Sequence, residues 1–300
     1  MTSDSILICD VGPRDGLQNA DRTLSPGVRA SYVDRLSAAG VGRIEAVSFV
    51  NPSRVPQMAG AEEVMELIVR RDGVEYAGLA LNTKGYERAV ACDVDLVQYV
   101  VPMSETFAEK NQGSTVEAAI ETAFELAARA SGDGVAFAVT LSVAFGCPYD
   151  GAIAADDVLS VARRLADGGV GELILADTIG VGVPTQVREL VGGAVELGVA
   201  VGAHFHNTRN TGYANAVAAV ESGATILDSS TGGLGGCPFT PNATGNIATE
   251  DLVYLLEGMG VHTGVKLEEL FGVSRWLSDQ MGAELPGLTY KAGGFEPIAS

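Results

Sequence analysis

Basic residues are scarce in this chain, whose 300 residues include 19 Lys and Arg against 38 Asp and Glu, a formal net charge of −19. Proteins that bind nucleic acid need clustered Lys and Arg to displace the counterions of the phosphates, so this balance argues against DNA or RNA as a partner. The overall field also repels anionic ligands. Binding of an anion would therefore depend on basic residues inside its own pocket, for which Arg14 and Arg209 are the candidates.

Cysteines and long apolar runs are also few. The four cysteines, Cys9, Cys92, Cys147 and Cys237, are far apart and form no C-x-x-C pair, which fits reduced thiols in a cytosolic protein. No segment reaches about 18 uninterrupted apolar residues, and the N-terminus lacks a basic region followed by an apolar stretch. We therefore expect a cytoplasmic protein that neither crosses nor binds a membrane.

Short runs rich in Val, Ile and Leu alternate with amphipathic, Ala-rich segments. This pattern is typical of βα units whose strands are buried on both faces of a parallel sheet. We predict eight strands, at residues 6–11, 43–49, 74–81, 96–102, 135–142, 172–177, 199–206 and 225–230. We predict the intervening helices at residues 26–39, 61–71, 83–91, 115–130, 156–167, 184–196, 212–222 and 249–258.

Eight alternations with short connections favour an α/β fold of the closed (β/α)8 TIM-barrel type. An open doubly wound sheet usually carries a glycine-rich phosphate turn after its first strand, whereas here the turn is Gly12-Pro-Arg-Asp-Gly16. We expect a TIM-barrel catalytic domain at residues 1–264. Residues 265–300 would form a short helical extension packed on the barrel.

Reactive side chains collect at the predicted carboxyl ends of the strands, where TIM barrels place their active sites. They are Arg14, Asp15, Glu45, Ser48, Asp177, His204, His206, Cys237 and Asn246. In a strand, residues i and i+2 project to the same face, so two histidines at 204 and 206 can share one metal ion. The alternative is a pair of hydrogen-bonded core histidines.

The candidate metal ligands combine two imidazoles, His204 and His206, with two oxygens, from Asp15 and Asn246. An oxygen-rich, open, six-coordinate site favours Mg²⁺ or Mn²⁺, since zinc prefers Cys or a third His. Arg14, beside this site, suits stabilising an enolate or gripping a carboxylate. Alternatively, Arg14 only braces the barrel by an ion pair.

Two further acids and one cysteine complete the candidate site. Glu45 and Asp177 would orient Arg14 and the histidines. Cys237 lies in the glycine-rich run Gly232-Gly-Leu-Gly-Gly-Cys-Pro238, which we interpret as a flap that delivers a thiol to the substrate. The alternative is that the glycines only permit a tight turn. Cys147 could take the same role, but no second reactive group adjoins it in sequence.

Several motifs resemble those of the 3-hydroxy-3-methylglutaryl-CoA lyase family, and the resemblance runs from about Ile8 to Val265. The motifs are Asp10-Val-Gly-Pro-Arg-Asp-Gly-Leu-Gln-Asn19, Ser48-Phe-Val, Val55-Pro-Gln-Met58, Phe145-Gly-Cys-Pro-Tyr149, Asp177-Thr-Ile-Gly-Val-Gly182, the glycine-rich run that holds Cys237, and Gly245-Asn246.

The resemblance implies a divalent metal held by Asp15, His204, His206 and Asn246, and a retro-Claisen-type cleavage of an acyl-CoA to acetyl-CoA and a keto acid such as acetoacetate. Asp15 or His204 would take the proton of the substrate's 3-hydroxyl, and Arg14 would stabilise the thioester enolate. Cys237 or His204 would then protonate the carbon.

The resemblance further implies Glu45 and Asp177 in or around catalysis, and a homodimer or higher homo-oligomer. We expect Gln18 and Ser48 to bind substrate together with Arg14 and Arg209.

The chain departs from the family pattern near the expected acyl pocket. After the seventh strand the family has His-Cys-His-Asp-Thr-Tyr-Gly, whereas this chain has His204-Phe-His-Asn-Thr-Arg-Asn210. In the fifth strand, Ala138 and Thr140 stand where the family has Arg and Tyr. We therefore hypothesise that Arg209 binds the acyl carboxylate, or that the substrate is a related 3-hydroxy-3-alkylglutaryl or citramalyl-type CoA ester. The alternative is that Arg209 is a surface arginine beside the site.

Two other functions fit parts of the sequence. Condensing synthases of the isopropylmalate and homocitrate type resemble this chain in the His-x-His-Asn run, but the Cys237 motif and the lack of a long C-terminal regulatory domain favour the lyase. A non-catalytic acyl-CoA-binding barrel is the second alternative. Retention of every candidate metal and catalytic residue argues against it.

Overall fold

The structure, a computed structural model, describes residues 4–236 and 245–295. Its centre is a closed barrel of eight parallel strands in the order β1 to β8, with β1 paired to both β2 and β8. The strands are β1 Leu7–Asp10, β2 Arg43–Ser48, β3 Glu75–Leu79, β4 Leu96–Pro102, β5 Ala136–Ser142, β6 Glu172–Asp177, β7 Ala200–Phe205 and β8 Ile226–Ser229. The predicted (β/α)8 TIM barrel is confirmed.

Helices surround the barrel in the described chain. They are α1 Pro26–Ala38, α2 Ala61–Leu67, α3 Thr83–Ala91, α4 Glu105–Gln112, α5 Val116–Asp133, α6 Ala155–Asp167, α7 Pro184–Val195, α8 Gly212–Glu221, α9 Thr249–Gly258, α10 Leu267–Met281 and α11 Thr289–Ala292. Side-chain oxygens of Ser25, Asn82, Ser104 and Thr115 accept amide hydrogen bonds at the starts of α1, α3, α4 and α5. These caps satisfy backbone donors that have no partner within their own helix.

One predicted helix ends earlier than expected, and one helix was not predicted. The helix predicted at residues 61–71 ends at Leu67, because Ile68 is extended and the Val69 amide bonds to the Asp34 carboxylate at 2.8 Å. Beyond it, Arg70 is held by an ion pair with Asp95. Helix α4 was not predicted at all, although Ser104 caps it in the usual way.

The segment after α9 packs beside α1. Trp276 of α10 lies 6.1 Å from Tyr32, between ring centroids, and under the guanidinium of Arg35 at 4.7 Å. The division into residues 1–264 and 265–300 stays a prediction. Within the part of the chain that the structure describes, no helix is long and apolar enough to cross a membrane.

The inside of the barrel is packed more sparsely than the layer between strands and helices. Its apolar residues form two small clusters, one around Cys9, Val11, Ile174 and Ile226 and one of Ala77, Leu96 and Ala138. Charged and polar side chains share this interior: Arg43, Glu45, Gln98 and Asp228 line a cavity there. The fold therefore provides a polar chamber at the barrel axis rather than a solid apolar core.

Candidate active site

A cavity of about 590 Å³ opens at the carboxyl ends of the strands, and all eight strands contribute residues to it. This is the end of a TIM barrel at which catalytic groups collect. The lining includes Arg14, Asp15, Gln18, Glu45, His204 and His206. Six of the residues singled out from the sequence therefore line one chamber.

A tight turn carries Arg14 and Asp15 to the cavity. Residues Gly12–Gly16 form one π-helical turn in which the amides of Arg14, Asp15 and Gly16 all donate to the Val11 carbonyl. A Cβ atom at Gly12 would lie 2.2 Å from the Tyr32 hydroxyl oxygen, so only glycine fits there. This geometry turns the side chains at positions 14 and 15 toward the barrel axis.

Asp15, His204 and His206 form a cluster that could hold a metal ion. One ligand atom from each residue can be chosen so that all three lie within 4.8 Å of one another. The two imidazole centroids are 5.1 Å apart, and His206 Nε2 lies 3.8 Å from Asp15 Oδ2. Two nitrogens and a carboxylate at such spacing suit a divalent cation.

Asn246 joins this cluster through the backbone as well as through its side chain. It forms an isolated antiparallel bridge with His206, and its Nδ2 donates to Asp15 Oδ2 at 2.8 Å and to the Leu234 carbonyl at 3.2 Å. Its Oδ1 is buried and has no hydrogen-bond partner among the described residues. Buried acceptors are rarely left unsatisfied, so a cation beside Asp15 would complete the environment of this oxygen.

Arg14 connects the cluster to a buried acid. Its Nε donates to Glu45 Oε2 at 2.7 Å and its Nη1 donates to Asp15 Oδ1 at 2.9 Å. Burial raises the pKa of Glu45 to about 7, even though Arg14 lowers it. Burial also opposes ionisation of Asp15, but Arg14 and the two histidines hold its pKa well below the usual range. Asp15 is therefore an anion that a cation can bind.

Asp228 is a site residue that the sequence analysis missed. Its Oδ2 lies 3.2 Å from His204 Nδ1, and the two residues are register partners across β7 and β8. Burial lowers the pKa of His204, but the hydrogen bond and the charge of Asp228 raise it above its ordinary value. An acid inside the apolar run Ala224-Thr-Ile-Leu-Asp228 was the signal that could have identified it.

Several predicted site residues lie away from the cluster. Asp177 accepts hydrogen bonds from the amides of Val181 and Gly182, both at 2.9 Å, and thus holds the turn after β6. Ser48 is fully buried at the end of β2, and its hydroxyl oxygen has no partner among the described residues. Neither Asp177 nor Ser48 is among the described residues that line the cavity.

Of the remaining predicted site residues, Gln18 lines the described cavity and Arg209 does not. Gln18 lines the cavity and an adjoining groove. Arg209 is exposed, and its Nη1 donates to the carbonyls of Ile179 at 3.0 Å and Gly180 at 2.9 Å. Arg209 is therefore directed at the loop after β6, and it is absent from the described cavity lining. Cys237 lies outside the described residues.

Comparison with known families identifies the chain. The HMGL-like family model matches residues 5–277, which is most of the sequence. The chain belongs to the HMGL-like family. The resemblance to 3-hydroxy-3-methylglutaryl-CoA lyases is thus confirmed.

Members of this family with known activities are similar over nearly the whole chain. The (R)-citramalyl-CoA lyase of Chloroflexus aurantiacus is 44% identical, over 98% of this chain and 96% of that protein. The hydroxymethylglutaryl-CoA lyase of Pseudomonas mevalonii is 40% identical, over 93% of each protein. These relatives identify the chain as an acyl-CoA carbon–carbon lyase of the HMGL-like family.

A solved structure of the same family superposes closely. The HMG-CoA lyase from Acinetobacter baumannii, in complex with coenzyme A and 3-methylmalate, has a TM-score of 0.94 and 36% identity, covering 100% of this chain and 99% of that one. The HMG-CoA lyase from Pseudomonas aeruginosa gives a TM-score of 0.92 and 38% identity, with 97% of each chain covered.

Proposed function

We propose that this protein cleaves a 3-hydroxyacyl-CoA to acetyl-CoA and an oxo acid with the help of a divalent cation, Mg²⁺ or Mn²⁺. Asp15, His204, His206 and Asn246 would hold the cation. The observation that supports this most directly concerns Asn246, whose Nδ2 contacts Asp15 of the cluster and whose buried Oδ1 has no hydrogen-bond partner among the described residues. When bound, the cation supplies Lewis acidity that lowers the pKa of the substrate's 3-hydroxyl.

The residues around the cluster can carry the proton and charge transfers of such a cleavage. Asp15 or His204 accepts the hydroxyl proton, the bond between C2 and C3 breaks, and C3 becomes the carbonyl carbon of the oxo acid. The electron pair moves to C2 as a thioester enolate, whose oxygen Arg14 stabilises with its Nη2 hydrogens. Protonation of C2 by His204 or Cys237 gives acetyl-CoA.

We further propose citramalyl-CoA as the preferred substrate, with pyruvate as the oxo acid. Three arginines line the described cavity. Arg14 is engaged by Glu45 and Asp15 and Arg43 by Glu75 and Glu172, whereas Arg54 is exposed in the segment after β2. A carboxylate on the carbinol carbon would need no separate arginine, because a cation held by Asp15, His204, His206 and Asn246 would supply positive charge beside it. Support comes from the 44% identity to the (R)-citramalyl-CoA lyase and from the 3-methylmalate, also a 2-hydroxy acid, named in the complex of the Acinetobacter relative.

3-Hydroxy-3-methylglutaryl-CoA is the second candidate, favoured by relatives such as the Pseudomonas mevalonii enzyme at 40% identity. Its carboxylate is one methylene further from the carbinol carbon. Binding that group would require an unpaired cation inside the barrel, where the described arginines, Arg14 and Arg43, are already paired with acids. We therefore expect it to be the poorer substrate.

A direct assay separates these possibilities. Purified protein, stripped of metal with a chelator and reloaded with Mg²⁺ or Mn²⁺, is given each enantiomer of citramalyl-CoA and of HMG-CoA, and acetyl-CoA, pyruvate and acetoacetate are measured. We expect metal-dependent turnover, with kcat/KM for one citramalyl-CoA enantiomer about tenfold or more above that for HMG-CoA. Preference for HMG-CoA would reverse the substrate assignment. A parallel incubation with acetyl-CoA and an oxo acid tests the condensing direction, and product formed only there would favour a synthase.

The assembly and location of the protein remain predictions. We propose a homodimer or higher homo-oligomer in the cytoplasm, as the sequence led us to expect. Light scattering of the purified protein and fractionation of the native cells test these two points.

A further inference from the structure

Arg43 closes the lower end of the active-site cavity. It begins β2, two residues before Glu45, so both side chains point to the barrel axis. At about 3.3 Å per residue, Arg43 stands about 7 Å below Glu45. It lines the cavity together with Cys9, Ala77 and Ile174, one layer beneath Arg14 and the metal-ligand cluster.

Carboxylates on other strands fix the Arg43 guanidinium. Its Nε donates to Glu75 Oε2 at 2.7 Å, while Nη1 and Nη2 donate to the two carboxylate oxygens of Glu172 at 2.5 and 3.0 Å. Because β2 and β6 are four strands apart in a closed barrel of eight, the pair with Glu172 spans the barrel. A two-point arginine–carboxylate pair has a defined geometry, so the guanidinium cannot swing aside at low cost.

The side chains beside Arg43 differ in size. Ala77 and Ala138 occupy inward positions of β3 and β5, where they form a small cluster with Leu96 of β4, and Ala138 is the register partner of Glu172. Ile174 lines the cavity two residues after Glu172 on β6. The two alanines leave space beneath the metal-ligand cluster, and the arginine that crosses to Glu172 limits its depth together with Leu96 and Ile174.

The direction in which a bound thioester lies explains why the position of Arg43 affects substrate choice. Coenzyme A must leave through the mouth of the cavity, so an acyl group held at Asp15 and His204 directs its far end down the barrel. Arg43 is already matched by two carboxylates, and Glu45 and Asp228 add two further acids to the interior. The lower end of the cavity therefore offers little attraction for another carboxylate. A longer substituent on the carbinol carbon would contact the Arg43 guanidinium.

We propose that Arg43 is a specificity-determining residue, which limits the length of the substituent that the carbinol carbon can carry. This inference rests on the proposed function, because it assumes that a 3-hydroxyacyl-CoA is bound at the cluster. A side chain held from the opposite wall by Glu172 thus sets the depth of the acyl pocket.

The test is the selectivity of the full-length, metal-loaded protein for CoA esters that carry a methyl, propyl or pentyl group on the carbinol carbon. The double variant Arg43→Met/Glu172→Gln removes the guanidinium without leaving a buried carboxylate unpaired. We expect the ratio of kcat/KM for the pentyl ester to that for the methyl ester to rise about tenfold, with the larger part in KM. The variant Arg70→Met/Asp95→Asn, which removes a half-exposed ion pair at the outside of the barrel, should leave the ratio unchanged.

A second variant keeps the proposal testable if the double variant does not fold. Ala138→Leu adds bulk beside Glu172 from the neighbouring strand β5 and should lower the ratio. Wild-type protein that cleaves no CoA ester would contradict the proposed function. Wild-type protein that cleaves the methyl ester, together with folded variants whose ratios equal that of wild type, would overturn the role of Arg43 alone.

Discussion

Asp228 Oδ2 lies 3.2 Å from His204 Nδ1, so a strand residue that carries no substrate-binding motif orients a candidate metal ligand. The hydrogen bond favours the tautomer with its proton on Nδ1, which leaves Nε2 as the metal-binding atom. The ring is thereby fixed in position as well as in protonation. Asp228 acts through His204 and is a positioning residue.

Asp228→Asn should weaken metal binding. An amide can flip and no longer supplies the charge that stabilises the Nδ1 proton, and loss of such a partner typically costs about 10- to 100-fold in metal affinity. Titration with Mn²⁺, followed by the electron paramagnetic resonance signal of the free ion, measures the Kd without turnover. Asp133→Asn, at the outer end of α5 where it contacts Tyr86, is the control and should leave the Kd unaltered.

Two substitutions at Asn246 separate its two contacts. Asn246→Ala removes both the free Oδ1 and the donor to Asp15, and should raise the Kd for Mn²⁺ about tenfold or more. Asn246→Asp keeps an oxygen ligand but removes the donor. If Oδ1 is a ligand, the Asp variant binds Mn²⁺ more tightly than the Ala variant. Equal losses in the two variants would assign Asn246 to holding Asp15 only.

The barrel could be predicted from the sequence because most strands are short, rich in Val, Ile, Leu and Ala, and bounded by turn residues. The strands at 96–102 and 172–177 have the predicted bounds, and the others differ by one or two residues at either end. The error at the end of α2 has a tertiary cause. The chain leaves the helix where Asp34, on α1, captures the Val69 amide, and local propensity contains no information on that contact.

The site was only partly predictable for a related reason. His204, His206 and Asp15 were found because their spacing and position at strand ends carry chemical information on their own. Asp228 and Arg43 are charged residues inside apolar strands, and their inward direction becomes evident only when the barrel closes. The role of Arg209 stays a prediction: its place in sequence beside the histidines does not determine the direction of its side chain, which in this structure donates to the carbonyls of Ile179 and Gly180.

Arg209→Ala should leave catalysis nearly unchanged. The side chain donates to the Ile179 and Gly180 carbonyls, so its loss should cost about 1 kcal/mol of stability. We expect kcat/KM for every cleaved acyl-CoA to stay within about twofold of wild type. Arg14→Ala, measured in parallel, should lose about a hundredfold or more. A selective drop for carboxylated substrates in Arg209→Ala would restore the acyl-carboxylate role expected from the sequence.

Glu250 should make stability depend on pH. This residue of α9 is fully buried and accepts the Gly232 amide at 2.9 Å, and burial raises its pKa from 4.5 to about 7. A carboxyl group with a higher pKa in the folded state binds its proton more tightly there, so the free energy of unfolding falls as pH rises from about 4.5 to about 7. Above about pH 7 the free energy of unfolding falls no further, and the total decrease is about 3 kcal/mol for a pKa shift of this size.

Glu250→Gln tests this directly, because an amide keeps the acceptor for Gly232 and does not ionise. The free energy of unfolding of the variant minus that of wild type should be small near pH 5 and grow to a few kcal/mol in favour of the variant at pH 8. Urea denaturation at both pH values measures it. Other titrating groups cancel in the difference as long as the substitution leaves their environment intact. A difference that is the same at pH 5 and pH 8 would mean that the Glu250 carboxyl has an ordinary pKa in the folded protein.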